Sequence, residues 1–336
     1  MEHIAIVRLS ALGDIVHALP AFQALRRARP AARISWIAEP AGAALLANIP
    51  GIDQVIVLDL KARRGPLAKA SGLARFLRSW RGRFDILLDF QGLIKSSLLS
   101  FLLGGARFGF GRGNVREPLA ALFYSRRASP FPEDRHVIHK NLHLLSLLGI
   151  LAPQVEYPSR EWRPSRQLAA WLEQEDLDEG WTVLNVGGAW PSKLLSAEQW
   201  RQVACGLDRS HTPVMLWGNA REKETAAAVA RQSGARLAPF MDFADLICFI
   251  ARARLVISGD TLALHLADMT RTPALGVFGP SSPERNGPLL PASRVVFHRL
   301  GCSFCYRRRC DTMNCLQGIA AEEILAAARS IDAQRD

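Results

Sequence analysis

Short apolar runs alternate with longer stretches of helical periodicity along both halves of the chain. Such alternation predicts βαβ units, in which helices cover a parallel sheet. In the first half the predicted strands are residues 3–9, 33–38, 54–58 and 85–90, and the clearest predicted helices are 66–80 and 94–103. The first half of the chain is therefore expected to fold as an α/β domain.

The second half repeats this plan. Its predicted strands are residues 182–188, 213–218, 254–260 and 273–279, and its predicted helices are 196–209, 220–233, 242–252 and 261–269. The segment 151–165 between the halves contains three prolines and several polar residues, which disfavour a helix. We expect an N-terminal domain at 1–152, a linker at 153–165, a C-terminal domain at 166–318 and a helix that closes the fold at 319–336.

Functional residues are expected at the strand-to-helix turns, because open parallel sheets bind ligands beyond the carboxyl ends of their strands. Ser10, Gly13 and Asp14 form the first such turn. Asp14 either caps the following helix or acts as a catalytic base at the mouth of a cleft between the domains. The turn lacks the dinucleotide fingerprint G-x-G-x-x-G. Pro20 predicts either a kinked helix or one that begins near Leu19.

Two later turns carry lysines. Lys95 opens the helix after the fourth strand, where a lysine is unfavourable by the helix-dipole argument. Either a bound anion bridges that conflict or the lysine is simply exposed. In the second half, Lys193 follows the pair Gly187 and Gly188, which is typical of a phosphate cradle although the Walker A sequence is absent.

Two further turns carry carboxylates. Glu222 lies near a helix start, where it either accepts hydrogen bonds from a ribose or caps the helix. In "SGDTLALHLADM", Asp260 is suited to cap the next helix, and Thr261 and His265 lie four residues apart on one helix face. Free amides at that helix start suit a pyrophosphate, whereas a core histidine beside a capped helix is the alternative.

Composition and charge narrow the class of protein. The chain has 336 residues, 49% of them hydrophobic, which is enough for two domains with separate cores. A cytoplasmic location is expected, because we find no cleavable leader and no run of about 18 apolar residues. Residues 1–164 contain 23 Lys+Arg and 12 Asp+Glu, whereas residues 165–336 contain 19 of each. That basic first half suits nucleic acid, anionic lipid or a phosphorylated substrate; scattered surface arginines are the alternative.

The six cysteines fall into two groups. Cys205 and Cys248 lie in apolar surroundings and are expected to be core thiols. The other four, with the spacing C-x2-C-x4-C-x4-C, are Cys302, Cys305, Cys310 and Cys315. This spacing allows a structural metal or iron–sulfur cluster, free redox-sensitive thiols, or disulfides, although a cytoplasmic setting disfavours disulfides.

Six segments extend over nearly the whole chain in one order: "SALGDIVHALPAF", "DFQGLIKSS", "REPLAALFY", "GGAWPSK", "WGNAREKE" and "GDTLALHLA". Together they resemble the lipopolysaccharide heptosyltransferases of glycosyltransferase family 9, particularly the heptosyltransferase I branch. The resemblance implies a GT-B fold, an α/β architecture of two Rossmann-like domains whose parallel sheets face each other across a cleft. It also implies inverting transfer of L-glycero-D-manno-heptose from ADP-heptose to a Kdo residue of the lipopolysaccharide inner core.

The resemblance further implies roles for individual residues. Asp14 would be the base, the N-terminal domain would bind the acceptor and the C-terminal domain the nucleotide sugar. The implied donor-binding residues are Gly188, Ala189, Lys193, Glu222, Asp260, Thr261, Leu262 and His265. The acceptor carries carboxylates and phosphates, so the candidate acceptor-binding residues are Ser10, Gly13, Lys95, Arg112 and Arg116, while Arg63 and Arg64 would meet the membrane. Catalysis would require no cofactor, since a cation and helix dipoles can stabilise the leaving diphosphate.

The expected partners are an ADP-sugar, an acceptor of the Kdo-lipid A type and the anionic cytoplasmic face of the inner membrane, where the protein would associate peripherally. Other functions remain open. The chain could transfer a later heptose or another sugar, or bind nucleotide sugars or lipopolysaccharide without catalysis. Nucleic-acid binding is not expected, because neither a recognition motif nor an aromatic stacking pattern occurs.

Overall fold

The computed structural model describes residues 1–59, 65–177, 180–208 and 210–334. The chain forms two compact units: unit 1, residues 1–160, and unit 2, residues 161–336. Each unit is an α/β structure built on a six-stranded parallel sheet. The division falls inside the segment predicted as a linker, and the exact domain bounds given above stay a prediction.

Unit 1 contains six strands and five α-helices among its described residues. The strands are β1 (His3–Val7), β2 (Arg33–Ala38), β3 (Gln54–Val57), β4 (Ile86–Asp89), β5 (Ala106–Phe110) and β6 (Arg126–Ala128). The helices are α1 (Leu12–Ala28), α2 (Pro40–Leu46), α3 (Pro66–Trp80), α4 (Ile94–Leu103) and α5 (Val137–Leu144), with 3-10 helices at Pro118–Phe123 and Leu145–Leu148. The strand order is β3-β2-β1-β4-β5-β6.

Unit 2 repeats the architecture. Its strands are β7 (Thr182–Asn185), β8 (Pro213–Leu216), β9 (Arg236–Leu237), β10 (Leu255–Gly259), β11 (Ala274–Phe278) and β12 (Arg294–Phe297). Its helices are α6 (Arg166–Gln174), α7 (Ala197–Gly206), α8 (Ala220–Ser233), α9 (Phe243–Ala251), α10 (Leu262–Thr270), α11 (Pro283–Asn286), α12 (Asn314–Gln317) and α13 (Ala321–Asp332), with a 3-10 turn at Pro191–Lys193. The strand order is β12-β11-β10-β7-β8-β9.

The eight strands predicted from the sequence are present, and four others were not predicted: β5, β6, β9 and β12. Three of these four are edge strands, and the fourth, β5, lies next to an edge. Strands near an edge bury less of their surface, so they lack the continuous apolar run that marks a central strand. The central strand β10, by contrast, is buried along its whole length.

Helix α1 differs from the prediction made for it. It begins at Leu12 and continues through Pro20, so the alternative of a helix beginning near Leu19 is wrong. Burial on both sides of the proline explains this, because Val16 precedes it and Phe22 follows it in the core. That packing offsets the backbone hydrogen bond that a proline cannot donate.

The C-terminal helix completes the core of unit 2. Helix α13 packs against α7 and the strands β11 and β12. Its side chains Ile324, Leu325 and Ile331 enter the same apolar cluster as Trp200 and Ile257. Among the described residues, no helix combines the length and the apolar character needed to cross a bilayer.

Candidate active site

Three turns meet at the carboxyl edge of the sheet in unit 1. The strands β1, β4 and β5 are neighbours in the sheet and run parallel, so the turns that follow them lie side by side. Asp14 and Lys95 lie in the first turns of the helices that follow β1 and β4, and Arg116 lies in the connection after β5. The sheet topology thus brings candidate residues from three separate segments to one edge.

Asp14 is held by an arginine that the sequence analysis did not single out. The guanidinium Nη2 of Arg8 lies 2.6 Å from Asp14 Oδ2, and its Nη1 donates to the carbonyl of Phe90 at 2.5 Å. The Arg8 side chain is 12% exposed and that of Asp14 is 43% exposed. Ala11 occupies the N-cap position of α1, so the interpretation of Asp14 as a simple cap is wrong. Its carboxylate is anchored on one side and open to solvent on the other.

A buried carboxylate organises the neighbouring turn. Asp89 accepts hydrogen bonds from the backbone amides of Gln91 and Gly92, at 2.8 and 3.2 Å, and from the hydroxyl of Tyr124 at 2.8 Å. Burial raises the pKa of Asp89, because none of the groups hydrogen-bonded to it carries a positive charge. The Gln91 side chain in turn accepts from the amide of Leu9 at 2.8 Å, which ties this turn to the one after β1.

The other residues predicted for the acceptor lie at the same edge with fewer contacts. Lys95 is exposed, as one of the two alternatives predicted, and its Nζ lies 3.4 Å from a carboxylate oxygen of Glu39. Arg112 and Arg116 are exposed, and the amide of Arg116 donates to the Gly92 carbonyl at 3.2 Å. Ser10 and Gly13 are partly exposed beside Asp14. Arg63 and Arg64, predicted to meet the membrane, lie outside the described residues.

In unit 2, Glu222 joins two glycine turns. Asn219 caps α8 by accepting from the Glu222 amide at 3.1 Å, so the interpretation of Glu222 as the cap is wrong. The Glu222 carboxylate instead accepts from the amides of Gly188 at 3.2 Å and Gly218 at 2.7 Å. A Cβ at Gly187 would lie only 2.5 Å from Glu222 Oε2, which explains the glycine pair in this turn.

A buried cluster of charged side chains lies beside these turns. Lys193 Nζ lies 2.5 Å from Asp260 Oδ2, and His265 Nε2 lies 3.2 Å from Oδ1. Asn286 also donates to Asp260, at 3.2 Å. Burial alone would raise the pKa of Asp260, but hydrogen bonds and positive charge from His265 and Lys193 hold this pKa well below its ordinary value. An ionised carboxylate is therefore stable here although the side chain is only 5% exposed.

The N-terminus of α10 opens onto the same place. Thr261, not Asp260, is its N-cap residue, so the prediction of an aspartate cap is wrong, and the Thr261 side chain makes no capping hydrogen bond. Its hydroxyl accepts from Asn185 Nδ2 and contacts the hydroxyl of Ser258, both at 2.9 Å. The sequence analysis missed Asn185. A helix start without this cap keeps amide donors and the positive end of its dipole for an anion.

The remaining donor candidates line this edge of unit 2. Leu262 is the first residue of α10 and is partly exposed, while Ala189 is exposed in the glycine turn after β7. Lys193 also stacks 4.4 Å from the centroid of the Trp190 ring. Turns after four neighbouring strands, β11, β10, β7 and β8, thus supply one polar site with a desolvated cation.

The cysteine-rich segment contacts the turn after β7. Ser192 Oγ donates to the Arg307 carbonyl at 2.6 Å, and the Arg308 guanidinium lies 5.4 Å from the centroid of the Trp190 ring. All six cysteines are free, which leaves the disulfide alternative unsupported. Cys248 is buried but Cys205 is exposed on the polar face of α7, so the prediction of two core thiols is wrong for Cys205. Over the described ranges, no group of three or more His, Cys, Asp or Glu side chains is arranged to hold a metal ion. Burial raises the pKa of Cys315, with a smaller contribution from the other three thiols of the segment.

Two Rossmann-like units, each with candidate residues at the carboxyl ends of its strands, are the architecture of the GT-B glycosyltransferases. The model of glycosyltransferase family 9 (heptosyltransferase) matches residues 73–316, more than half of the chain. The chain belongs to this family and is a glycosyltransferase, which confirms the resemblance found in the sequence.

Individual relatives agree with this assignment. Lipopolysaccharide heptosyltransferase 1 of Pseudomonas aeruginosa is 29% identical over 321 residues, which cover 91% of this chain and 87% of the relative. The protein of the same name from Campylobacter coli is 24% identical and covers 98% of both chains. The Escherichia coli heptosyltransferase WaaC, solved with ADP-2-deoxy-2-fluoro heptose, superimposes with a TM-score of 0.77 at 23% identity over 99% of this chain and 100% of that chain. A family 9 glycosyl transferase from Veillonella parvula gives 0.82 at 21% identity, over 99% and 98%. The predicted GT-B fold is thus confirmed.

Proposed function

We propose that this protein transfers L-glycero-D-manno-heptose from ADP-heptose to a Kdo residue of the lipopolysaccharide inner core, with inversion at the anomeric carbon. Two kinds of relative support the proposal. The relatives from Pseudomonas aeruginosa and Campylobacter coli are named lipopolysaccharide heptosyltransferase 1. The WaaC structure contains an analogue of ADP-heptose.

The reaction is a single displacement. The oxygen of an acceptor hydroxyl forms a bond to the anomeric carbon, the bond from that carbon to the diphosphate oxygen breaks, and ADP leaves with the electron pair. The hydroxyl proton passes to Asp14, which acts as the general base. Asp14 suits this role because Arg8 fixes its carboxylate at 2.6 Å while 43% of the side chain remains open. A positioned base of this kind contributes roughly 10²–10⁴-fold to the rate.

One observation carries the donor assignment: the cluster of Lys193, Asp260 and His265 lies at the start of α10, whose N-cap side chain makes no capping bond. Lys193 and the α10 amides provide positive charge for the leaving diphosphate, and they act strongly because the site is largely desolvated. We assign Asp260 and His265 to the transferred sugar and Glu222 to the ribose. This mechanism uses no cofactor.

The acceptor assignment rests on charge and position. Lys95, Arg112 and Arg116 lie at the same sheet edge as Asp14 and match the carboxylates and phosphates of an acceptor of the Kdo-lipid A type. Ser10 and Gly13, in the turn before Asp14, would contact the acceptor sugar. Because that acceptor is anchored in a bilayer, the protein would work peripherally on the cytoplasmic face of the inner membrane.

The decisive experiment mixes the protein with ADP-heptose and heptoseless Kdo-lipid A. We expect release of ADP and an added mass of one heptose on the acceptor. Turnover of a different nucleotide sugar in parallel reactions would overturn the donor assignment. Product formed only on an acceptor that already carries a heptose would assign the protein to a later step, and donor binding without any product would indicate a non-catalytic binding protein.

A further inference from the structure

Helix α4 exposes large apolar side chains and buries serines, although its Leu99 and Leu103 also enter the core. Its buried positions include Ser96, Ser97 and Ser100, whose hydroxyls donate to backbone carbonyls within the same turn of chain. Its exposed positions include Leu98 and Phe101. A surface helix of a globular protein normally buries its apolar stripe and exposes its polar residues. The apolar side chains of α4 that remain exposed therefore indicate a partner other than the core.

The exposed apolar face continues onto the neighbouring 3-10 helix, Pro118–Phe123, which packs against α4. The large exposed side chains, here called the α4 surface, are Ile94, Leu98, Phe101, Leu119 and Leu122. The first three recur at helical spacing, and the last two are three residues apart on a 3-10 helix, where such positions coincide. The rings of Phe101 and Phe123 meet edge to face at 5.8 Å, so the two helices present one continuous patch.

Positive charge borders this patch. The Arg107 guanidinium lies 5.3 Å from the centroid of the Phe101 ring, and Lys95 follows Ile94 directly. The acidic side chains nearby are already engaged: Glu117 accepts from the Ile94 amide at 2.7 Å, and Glu39 pairs with Lys95. Apolar side chains bordered by the Arg107 guanidinium match a bilayer with anionic headgroups, since the side chains enter the acyl boundary and the guanidinium meets phosphate.

We propose that the α4 surface docks the protein on the bilayer through anionic phospholipids. The proposal rests on the proposed function for one point, that the acceptor is itself a membrane lipid. Helix α4 begins three residues after Gln91, in the turn that also carries Lys95. Docking by α4 therefore brings the candidate acceptor turn to the level of the headgroups, where the Kdo of a lipid acceptor is found. Neither a nucleic acid nor a soluble substrate would need the exposed leucines.

The test is co-sedimentation with vesicles of phosphatidylcholine, with and without phosphatidylglycerol. Wild-type protein is expected to bind the anionic vesicles far better, and added salt should weaken that binding. The double variant Leu98→Ser/Leu122→Ser should bind them at least about tenfold more weakly, because two apolar side chains no longer enter the bilayer. The matched control is Leu151→Ser, which alters a leucine of unit 1 that is 85% exposed and lies outside the patch; it should bind like wild type.

Activity assays distinguish a failure of the docking proposal from a failure of the proposed function. The double variant should transfer heptose to a lipid-free Kdo acceptor at the wild-type rate and lose rate only with the acceptor in vesicles. Suppose that neither the wild-type protein nor the double variant transfers heptose, yet the double variant loses vesicle binding. The docking proposal then stands and the proposed function fails. Equal vesicle binding by wild type and double variant overturns the docking proposal. A second outcome also overturns it: the wild-type protein is a dimer in sedimentation velocity and the double variant is a monomer. The patch would then bind a second copy of the chain.

Discussion

The two units each place a buried carboxylate beside their candidate site, and the two carboxylates behave oppositely. In unit 1, Asp89 is bound by backbone amides and the Tyr124 hydroxyl, and burial raises its pKa. In unit 2, Asp260 lies between Lys193 and His265, which lower its pKa despite burial. The neighbours, not the degree of burial, decide the charge of a buried carboxyl group.

This difference in charge suggests different roles for the carboxyl edges of the two sheets. Asp89 shapes a backbone turn, and the proposed mechanism leaves the chemistry of unit 1 to Asp14, whose side chain is far more exposed. In unit 2 the buried charges are themselves the candidate site. An open edge suits a large acceptor held by several exposed cations. The desolvated cluster of Lys193, Asp260 and His265 suits a diphosphate, because fixed charges interact more strongly with an anion where water is excluded.

The largest expected effect comes from Asp14→Asn, which keeps the shape of the side chain and removes the base. Turnover should fall by roughly 10²–10⁴-fold, while affinity for ADP-heptose stays within about twofold, since the proposed donor site lies in unit 2. Initial rates and donor titration calorimetry measure the two quantities. The control is Glu156→Gln, which removes another partly exposed carboxylate of unit 1 paired with an arginine, Arg27. Equal loss of donor binding and turnover in Asp14→Asn would contradict this division of labour.

Asp260→Asn should have the largest effect on stability, because it leaves Lys193 buried without its carboxylate. Breaking one side of a buried ion pair costs about 3–5 kcal/mol. Urea denaturation measures the loss. The double variant Asp260→Asn/Lys193→Met provides the control, since removal of both charges should recover much of that loss. If the double variant is as unstable as the single one, charge pairing is not what holds this cluster together.

The sequence predicted residues of both candidate sites but not the partners that hold them. The strand-to-helix turns could be found because apolar runs and glycines mark them, and the roles of Asp14, Glu222 and Asp260 were framed there as caps or functional groups. In the structure all three carboxylates bond elsewhere: Asp14 bonds Arg8 at the end of the preceding strand, whereas Glu222 and Asp260 bond groups distant in sequence. Arg8 offered one overlooked signal, a lone charge at the end of a buried apolar run. Asn185 offered none, because its partners come from the turn of another strand.

Helix α4 illustrates a second limit. The run "IKSSLLSFLL" predicts a helix correctly, but its serines and apolar residues do not tell which face is buried. A serine can satisfy its hydroxyl on the backbone of its own helix, so burying it is inexpensive. Only the packing against neighbouring elements shows that Leu99 and Leu103 are buried while Phe101 faces outward.

The pH dependence of stability should separate the two buried carboxylates. Asp260, whose folded pKa is depressed, contributes stability that is present above its unfolded pKa near 3.8 and is lost as the pH falls below that value. Asp89, whose folded pKa is raised, favours folding at low pH and opposes it as the pH rises above 3.8. Each slope is at most about 1.4 kcal/mol per pH unit.

Hydrogen exchange between pH 6 and pH 3, read by mass spectrometry, resolves the two units after correction for the intrinsic exchange rate. On acidification, Asp260→Asn should lose less stability in unit 2 than wild type does. Asp89→Asn should gain less stability in unit 1 than wild type gains. Parallel profiles for wild type and both variants would refute the opposite behaviour of the two carboxylates.

Tyr124→Phe should have the smallest effect and tests whether Asp89 only shapes its turn. The change removes one of the hydrogen bonds to a carboxyl group that keeps its two backbone donors, so the expected destabilisation is about 1 kcal/mol. Heptosyl transfer should fall no more than about twofold, because the Gln91 and Gly92 amides still fix the turn. Thermal denaturation and initial rates measure both effects. A loss of turnover as large as that of Asp14→Asn, with stability unchanged, would mean that the Asp89–Tyr124 pair takes part in proton transfer and that the contrast between the two units is not the one argued above.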